Sequence, residues 1–418
     1  MPKFAILDQE ITLSAKLKVL GVGGGGCNAI ESMMKRGLSG VEYVAINTDA
    51  QVLKTSHADH KIQIGTNLTK GLGAGADPNV GRKALEEDRE KITKILDGSD
   101  MVFITAGMGG GTGTGAAPIV ASIAQSIGAL VIGIVTKPFK WEGKKRMLNA
   151  EEGISEMRQY VDSLIVIPNE RILNVLDDSA GAFKAFDKPN EVLYEATRGI
   201  ADIITIEGQI NVDFADVRSV MNHSGEALMG CGIASGENRA EEAAHKAISS
   251  PLLEGISIKG AKNILLNVTA SSTLTMKEIN DGNQVIYDAA GEEANIIFGL
   301  VQKEDMNEYV SYTVIATGFN TTSGFGRTQK PKEAEQVKPK KVEEKGFLPF
   351  SLDDFELNED ADFEVPTIKR MNKNFDFFNG EDKTQAGFNF ESRIAKPAKS
   401  TENENESDSS DFLRMMMD

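Results

Sequence analysis

Ten residues in the first third of the chain, Ala106-Gly107-Met108-Gly109-Gly110-Gly111-Thr112-Gly113-Thr114-Gly115, constrain the fold more than any others. They follow an apolar, strand-like segment from Met101 to Thr105 and lead into Ala116 to Ala129, which reads as a helix. Five glycines and two threonines in seven residues, set between strand and helix, make a phosphate cradle. Glycine lets the main chain approach an anion closely and take φ > 0, while successive N–H groups and a helix N-terminus supply positive partial charge without a lysine. Thr112 and Thr114 add hydroxyl donors. An isolated glycine cluster is ordinarily a flexible turn, but this density in this place favours phosphate. No GxxxxGKS or GxxxxGKT occurs in the 418 residues, so the ordinary P-loop is excluded.

A second glycine run lies upstream. The apolar strand Leu17 to Gly21 feeds Gly21-Val22-Gly23-Gly24-Gly25-Gly26-Cys27-Asn28, followed by a helix expected from Ile30 to Arg36. Gly21, Gly23 and Gly26 satisfy GxGxxG, so an NAD-binding Rossmann oxidoreductase is the main rival reading. A dehydrogenase needs one such turn and gains nothing from the second, denser one at Gly109. Further polar clusters end apolar segments: Asn47-Thr48-Asp49 after Val41 to Ile46, Thr136-Lys137-Pro138 after Leu130 to Val135, and Pro168-Asn169-Glu170 after Leu164 to Ile167. A glycine-rich stretch containing Gly73, Ala74 and Gly75 precedes a charged helix expected from Gly81 through Ile95. Asp187 to Ile206 carries apolar residues at helical spacing and describes a long buried helix.

GGGTGTG resembles the signature loop of the tubulin/FtsZ family, and the resemblance runs from about Leu17 to Phe319. It implies an α/β fold: a tubulin-like, Rossmann-like parallel-sheet GTPase domain (17–186), a central helix and connection (187–210), and a smaller α+β domain (211–319). It also implies binding of GTP/GDP with Mg²⁺. Phosphate contacts fall to Gly23, Gly24, Gly25, Asn28, Gly107, Gly109, Gly110, Gly111, Thr112, Gly113, Thr114 and Gly115. Asn47 and Asp49 belong to the second nucleotide loop, and Gly73, Ala74 and Gly75 lie beside the γ-phosphate. Pro138, Glu142 and Arg146 are on the sugar side, and Asn169, Phe186 and Asn190 on the base side. An amide at 190 suits the donor and acceptor pattern of a purine edge.

The motif Asn211-Val212-Asp213-Phe214-Ala215-Asp216 matches the family's synergy loop. Read alone, carboxylates three apart at a helix start are capping residues. The resemblance makes Asn211, Asp213 and Asp216 catalytic toward the nucleotide of a neighbouring subunit, hence head-to-tail homopolymers forming a ring at the division site. With both aspartates present, a nucleotide-binding scaffold without turnover is the weaker alternative.

The remaining features bound partners and place. Strands are expected at Ile264 to Val268, Gln284 to Tyr287, Asn295 to Val301 and Tyr309 to Thr317, with Gly232 to Ala240 leading into a helix through Ile248. Residues 1–16 are expected to be flexible and 320–418 disordered, since apolar periodicity is lost there. In the tail, Phe363 to Arg370 and Asp411 to Arg414 resemble the family's docking peptide for membrane adaptor and division-regulating proteins. A net charge of −17 argues against nucleic acid and against unaided binding to anionic lipid. No 18-residue apolar run suggests direct membrane insertion, and two cysteines fit free thiols in a reducing cytoplasm. No metal-ligand cluster is expected, and His223 reads as a surface residue.

Overall fold

The computed structural model describes residues 15–173, 181–206, 210, 212–253 and 258–319. Asn211, the tail from 320 onward with both of its peptides, and all but the last two residues of the 1–16 segment lie outside these. The first part alternates strand and helix: β1 (Leu17–Val22), α1 (Gly23–Lys35), β2 (Glu42–Asn47), α2 (Ala50–Thr55), β3 (His60–Gln63), α3 (Thr66–Thr69), α4 (Pro78–Glu87), α5 (Arg89–Leu96), β4 (Met101–Gly107), α6 (Thr112–Ser126), β5 (Leu130–Lys137), α7 (Lys144–Met157), β6 (Ser163–Pro168) and α8 (Asn169–Leu173). There follow α9 (Ala182–Thr205), α10 (Phe214–Met221), β7 (Gly225–Ala234), α11 (Arg239–Ile248), β8 (Asn263–Ala270), α12 (Met276–Ala290), β9 (Asn295–Gln302) and β10 (Val310–Thr317).

The strands form one sheet in the order β3-β2-β1-β4-β5-β6-β7-β10-β8-β9. Pairing is parallel from β3 to β7 and between β8 and β9, while β10 runs antiparallel to both its neighbours. The chain moves outward from β1 to β3 and returns on the other side of β1 as β4, so a topological switch point lies between β1 and β4. Helices cover both faces there, which is why β1 and β4 read as continuous apolar runs. Leu17, Val19, Met101 and Phe103 pack with α1 and α9 on one face; Leu20, Val22, Val102 and Ile104 pack with α4 to α6 on the other. A third core joins α11 and α12 to β8 and β10.

Several expected boundaries move, each for a visible reason. Helix α1 begins at Gly23 and α6 at Thr112, so both glycine runs supply the first helical turn instead of a loop before it. The charged helix expected over 81–95 breaks into α4 and α5 at Asp88, whose carboxylate accepts the Gly65 N–H at 2.8 Å. Helix α9 starts at Ala182, with Pro189 inside it instead of in its first turn. The strand expected at Gln284 to Tyr287 is part of α12, which Thr275 and Glu278 start with a reciprocal capping box. Gly232 to Ala234, expected to lead into a helix, are the last residues of β7. Both cysteines are free; Cys27 is in the core, where burial pushes its pKa up to about 12. The His223 side chain is 79% exposed, beside Asp162 at 3.3 Å.

Helices α4 and α6 meet through glycine. A Cβ on Gly115 would collide with the Pro78 carbonyl oxygen and stand 2.7 Å from the Arg82 nitrogen. Gly115→Ala is therefore expected to destabilise the protein by about 2 kcal/mol or more. Gly128→Ala, at φ +84° with nothing within 4 Å of the new carbon, should lose only about 1 kcal/mol, for backbone conformation alone. Chemical denaturation of the two variants checks the order.

Candidate functional site

The two glycine turns leave the carboxyl ends of adjacent strands β1 and β4 and touch each other through backbone. A Cβ on Gly23 would stand 2.6 Å from the Gly113 nitrogen, and one on Gly25 would stand 3.1 Å from Gly107 Cα. Neither α1 nor α6 has a side-chain cap at its N-terminus. Two sets of first-turn N–H groups are thus left without intrahelical acceptors, side by side at the switch point. Gly24 is buried in α1, with Asn28 exposed one turn further on.

The threonines also brace the turn. Thr112 and Thr114 are 0% and 2% exposed. Thr112 Oγ1 is bonded to Thr48 Oγ1 at 2.8 Å, and Thr114 Oγ1 accepts the Gly109 N–H at 2.8 Å. Their hydroxyls hold the cradle's shape, one to the end of β2 and one across the turn. The turn itself needs glycine at 109, where φ is +105° and a Cβ would meet Pro138 Cγ at 3.2 Å and the Arg146 carbonyl at 2.9 Å. Gly111 is likewise pressed onto Ala74, whose Cβ would be 2.7 Å away. The 73–75 segment, read in sequence as a loop beside the phosphate loop, packs directly on it, with Ala74 buried and Gly73 and Gly75 on its outer side. Gly110 lies between these two contacts.

Asn47 and Asp49 end β2 beside the same cradle. Asp49 is the N-cap of α2, its Oδ1 accepting the Gln51 N–H at 2.7 Å. Asn47 is fully buried; its Oδ1 accepts the Asp49 N–H at 3.3 Å, and its side chain also lies against the Cys27 thiol. Asn169, just after β6, has a buried Oδ1 with no hydrogen-bond partner. Buried amides without partners are uncommon and point to a ligand or an ordered water.

Glu142 and Arg146 are not on one helix, since Glu142 ends a short 3-10 turn and Arg146 lies in α7. They still pair, Arg146 donating to Glu142 Oε2 at 2.5 Å, while Glu142 Oε1 accepts the Phe139 N–H at 2.8 Å. Phe186 stands edge-on to Phe139 and to Trp141, with both centroid distances 6.2 Å. Between α1 and α9, Asn28 and Asn190 line a cleft of about 450 Å³ with Glu31, Arg36 and Asp187. The last three were not singled out from sequence. Charged residues on α1 and α9 carry no motif, and only packing of the two helices brings them to one cleft.

The expected catalytic carboxylates are elsewhere. Asp213 is the N-cap of α10, its Oδ1 accepting the Asp216 N–H at 2.8 Å, and both residues are exposed. The Arg218 guanidinium donates to the Gly128 carbonyl at 2.8 Å, which anchors α10 at the start of β5. Pro138 and the glycine turns are at the other end of that strand, eight residues or about 25 Å away.

Residues 16–177 match the Tubulin/FtsZ family, GTPase domain, and residues 225–320 match the FtsZ family, C-terminal domain. An empty dimer of FtsZ from M. jannaschii is 44% identical, with 73% of this chain and 88% of that chain covered and a TM-score of 0.70. Two Haloferax volcanii structures share the fold. CetZ2, a GTPgS-bound protofilament, has 19% identity over 74% of this chain and 94% of that one, TM-score 0.62. CetZ1, a GDP-bound monomer, has 23% identity over 74% and 96%, TM-score 0.64. Two stacked glycine turns, a GTPase domain followed by its C-terminal partner domain, and 44% identity set aside the dinucleotide-binding reading: the chain belongs to the Tubulin/FtsZ family of GTPases, on its FtsZ branch.

Proposed function

We propose that this protein holds GTP or GDP at the carboxyl edge of β1 and β4 and polymerises head to tail, each subunit offering Asp213 and Asp216 to the nucleotide of its neighbour. The observation that carries the reading is the placement of the two half-sites at opposite ends of β5. Carboxylates about 25 Å from the cradle do not reach a nucleotide held by their own subunit. The same contact repeated from copy to copy is heterologous and open, which yields a filament. The M. jannaschii relative is described as a dimer.

The cradle suits a nucleotide. Uncapped amides of α1 and α6 face the phosphates, Glu142 and Arg146 flank the sugar, and the unpaired Oδ1 of Asn169 is available for a further polar contact. Mg²⁺ would neutralise phosphate charge. It would be held chiefly by the phosphates, because among the described residues no three His, Cys, Asp or Glu side chains converge. In the neighbouring subunit Asp213 Oδ1 is engaged as a helix cap, whereas the Asp216 carboxylate accepts no hydrogen bond among the described residues. Asp216 is therefore assigned to polarise the attacking water and Asp213 to hold the helix start, with Asn211, outside the described residues, beside them.

A filament of this kind fits a ring at the division site, beneath the membrane. Among the described residues no helix is long and apolar enough to cross a membrane. Adaptor proteins bound to Phe363 to Arg370 or Asp411 to Arg414 would supply the membrane contact.

GTP turnover per molecule is expected to rise from near zero above a threshold protein concentration, in step with sedimentable polymer. Turnover independent of concentration would refute a shared site. Asp216→Ala should keep GTP binding and lower turnover about 100-fold or more, as loss of a general base does. If the variant instead stopped binding GTP, the assignment to the neighbour's nucleotide would be wrong.

A further inference from the structure

We infer that Arg36 is a positioning residue for the nucleobase, gripping α9 so that Asn190 is held at the angle that reads guanine. This rests on the assignment of GTP to the glycine turns, with Asn190 on the base side. Arg36 caps the C-terminal end of α1, the helix whose other end is the first glycine turn. Its Nε donates to Ser32 Oγ at 3.2 Å, within its own helix. Outward, it reaches one stripe of α9: Nη2 lies 3.4 Å from Asp187 Oδ2 and 3.7 Å from Glu191 Oε2, and the guanidinium sits 5.7 Å from the centre of the Tyr194 ring. The Tyr194 hydroxyl returns a bond to the Arg36 carbonyl at 3.4 Å.

Positions 187, 191 and 194 are spaced i, i+4, i+7, and Asn190 is on the same stripe. Asn190 Nδ2 donates to Asp187 Oδ1 at 3.4 Å, so the amide that faces the cleft is oriented by the carboxylate that Arg36 holds. The amide's oxygen is then the atom turned toward a base donor. Each exposed ion pair alone is worth little. A guanidinium shared between two carboxylates and a ring, reinforced by a return bond from the same helix, restricts one geometry. Lys188, the other cation on this part of α9, is committed to Glu191 at 2.6 Å.

The test is nucleotide discrimination, measured below the assembly threshold by competition against a fluorescent GDP analogue. ITP lacks the 2-amino donor of GTP but carries the same sugar and phosphates. In Arg36→Met, which keeps the side chain's apolar stem, the preference for GTP over ITP should fall about tenfold, the worth of one hydrogen bond. ITP affinity should change little. Arg36→Lys, which restores charge without the fork, should recover part of the preference. Equal weakening of both nucleotides, or an unchanged ratio, would overturn the inference and leave Arg36 a structural residue. If Arg36→Met does not fold, Asp187→Ala breaks the same grip from the α9 side and is held to the same two outcomes. Failure of the wild-type protein to bind GTP would instead sink the assignment of GTP itself.

Discussion

Backbone contact between the two glycine turns is the constraint on which the rest of the molecule depends. With Gly23 against Gly113 and Gly25 against Gly107, the amino ends of α1 and α6 lie nearly in contact. Any side chain in that seam would push the helices apart and scatter their amides. Every other part of the cradle is registered against this seam: Thr48 and Thr112 tie in β2, Ala74 presses on Gly111, and Pro138 and Arg146 close on Gly109. The electrostatics are those of oriented peptide groups, which explains how a chain of net charge −17 can favour a polyanion.

The central helix does the corresponding work on the other face. Apolar residues of α9 pack against β5 and β6 and against the C-terminal strands in a single core. Its polar stripe faces α1 at one end, while Asp202, 2% exposed, meets Arg198 at 3.0 Å and Lys303 at 2.7 Å at the other. One rod therefore has Asn190 near its start and an ion pair to the C-terminal part near its end. Buried pairs like this lose much when one partner is removed, more than the intact pair contributes.

Much of this was legible in the sequence because glycine density, strand-ending polar clusters and helical periodicity are local signals. The strand-turn-helix order around Gly109, the second turn at Gly23 and the helix over 187–206 are all present. What was not legible depended on competition between local and distant partners. Glycine lowers helix propensity, so α1 and α6 were expected to start later, yet packing against β1 and β4 recruits glycines into their first turns. Asp88 breaks a continuous charged pattern because the Gly65 amide, 23 residues away in the chain, needs an acceptor. Gln284 to Tyr287 looked like a strand by composition, although the Thr275 and Glu278 spacing already announced a helix. The bracing bonds of Thr112 to Thr48 and of Thr114 to the Gly109 amide carry no sequence signal, because they form only when the loop closes on the end of β2 and on itself. Arg36 had no sequence signal at all, because its role exists only where α1 crosses α9.

The separation of the glycine turns from α10 along β5 has a counting consequence for the proposed polymer. Each working site needs one end of two different copies, so a linear chain of subunits always has one site fewer than it has members. The member at one tip keeps a nucleotide that nothing can hydrolyse, and the member at the opposite tip shows carboxylates with nothing to act on. The two tips are thus chemically unlike, and a filament carries a direction set by the way a single sheet was threaded. Short chains are proportionally poorer in complete sites than long ones, so turnover per subunit reports length as well as amount.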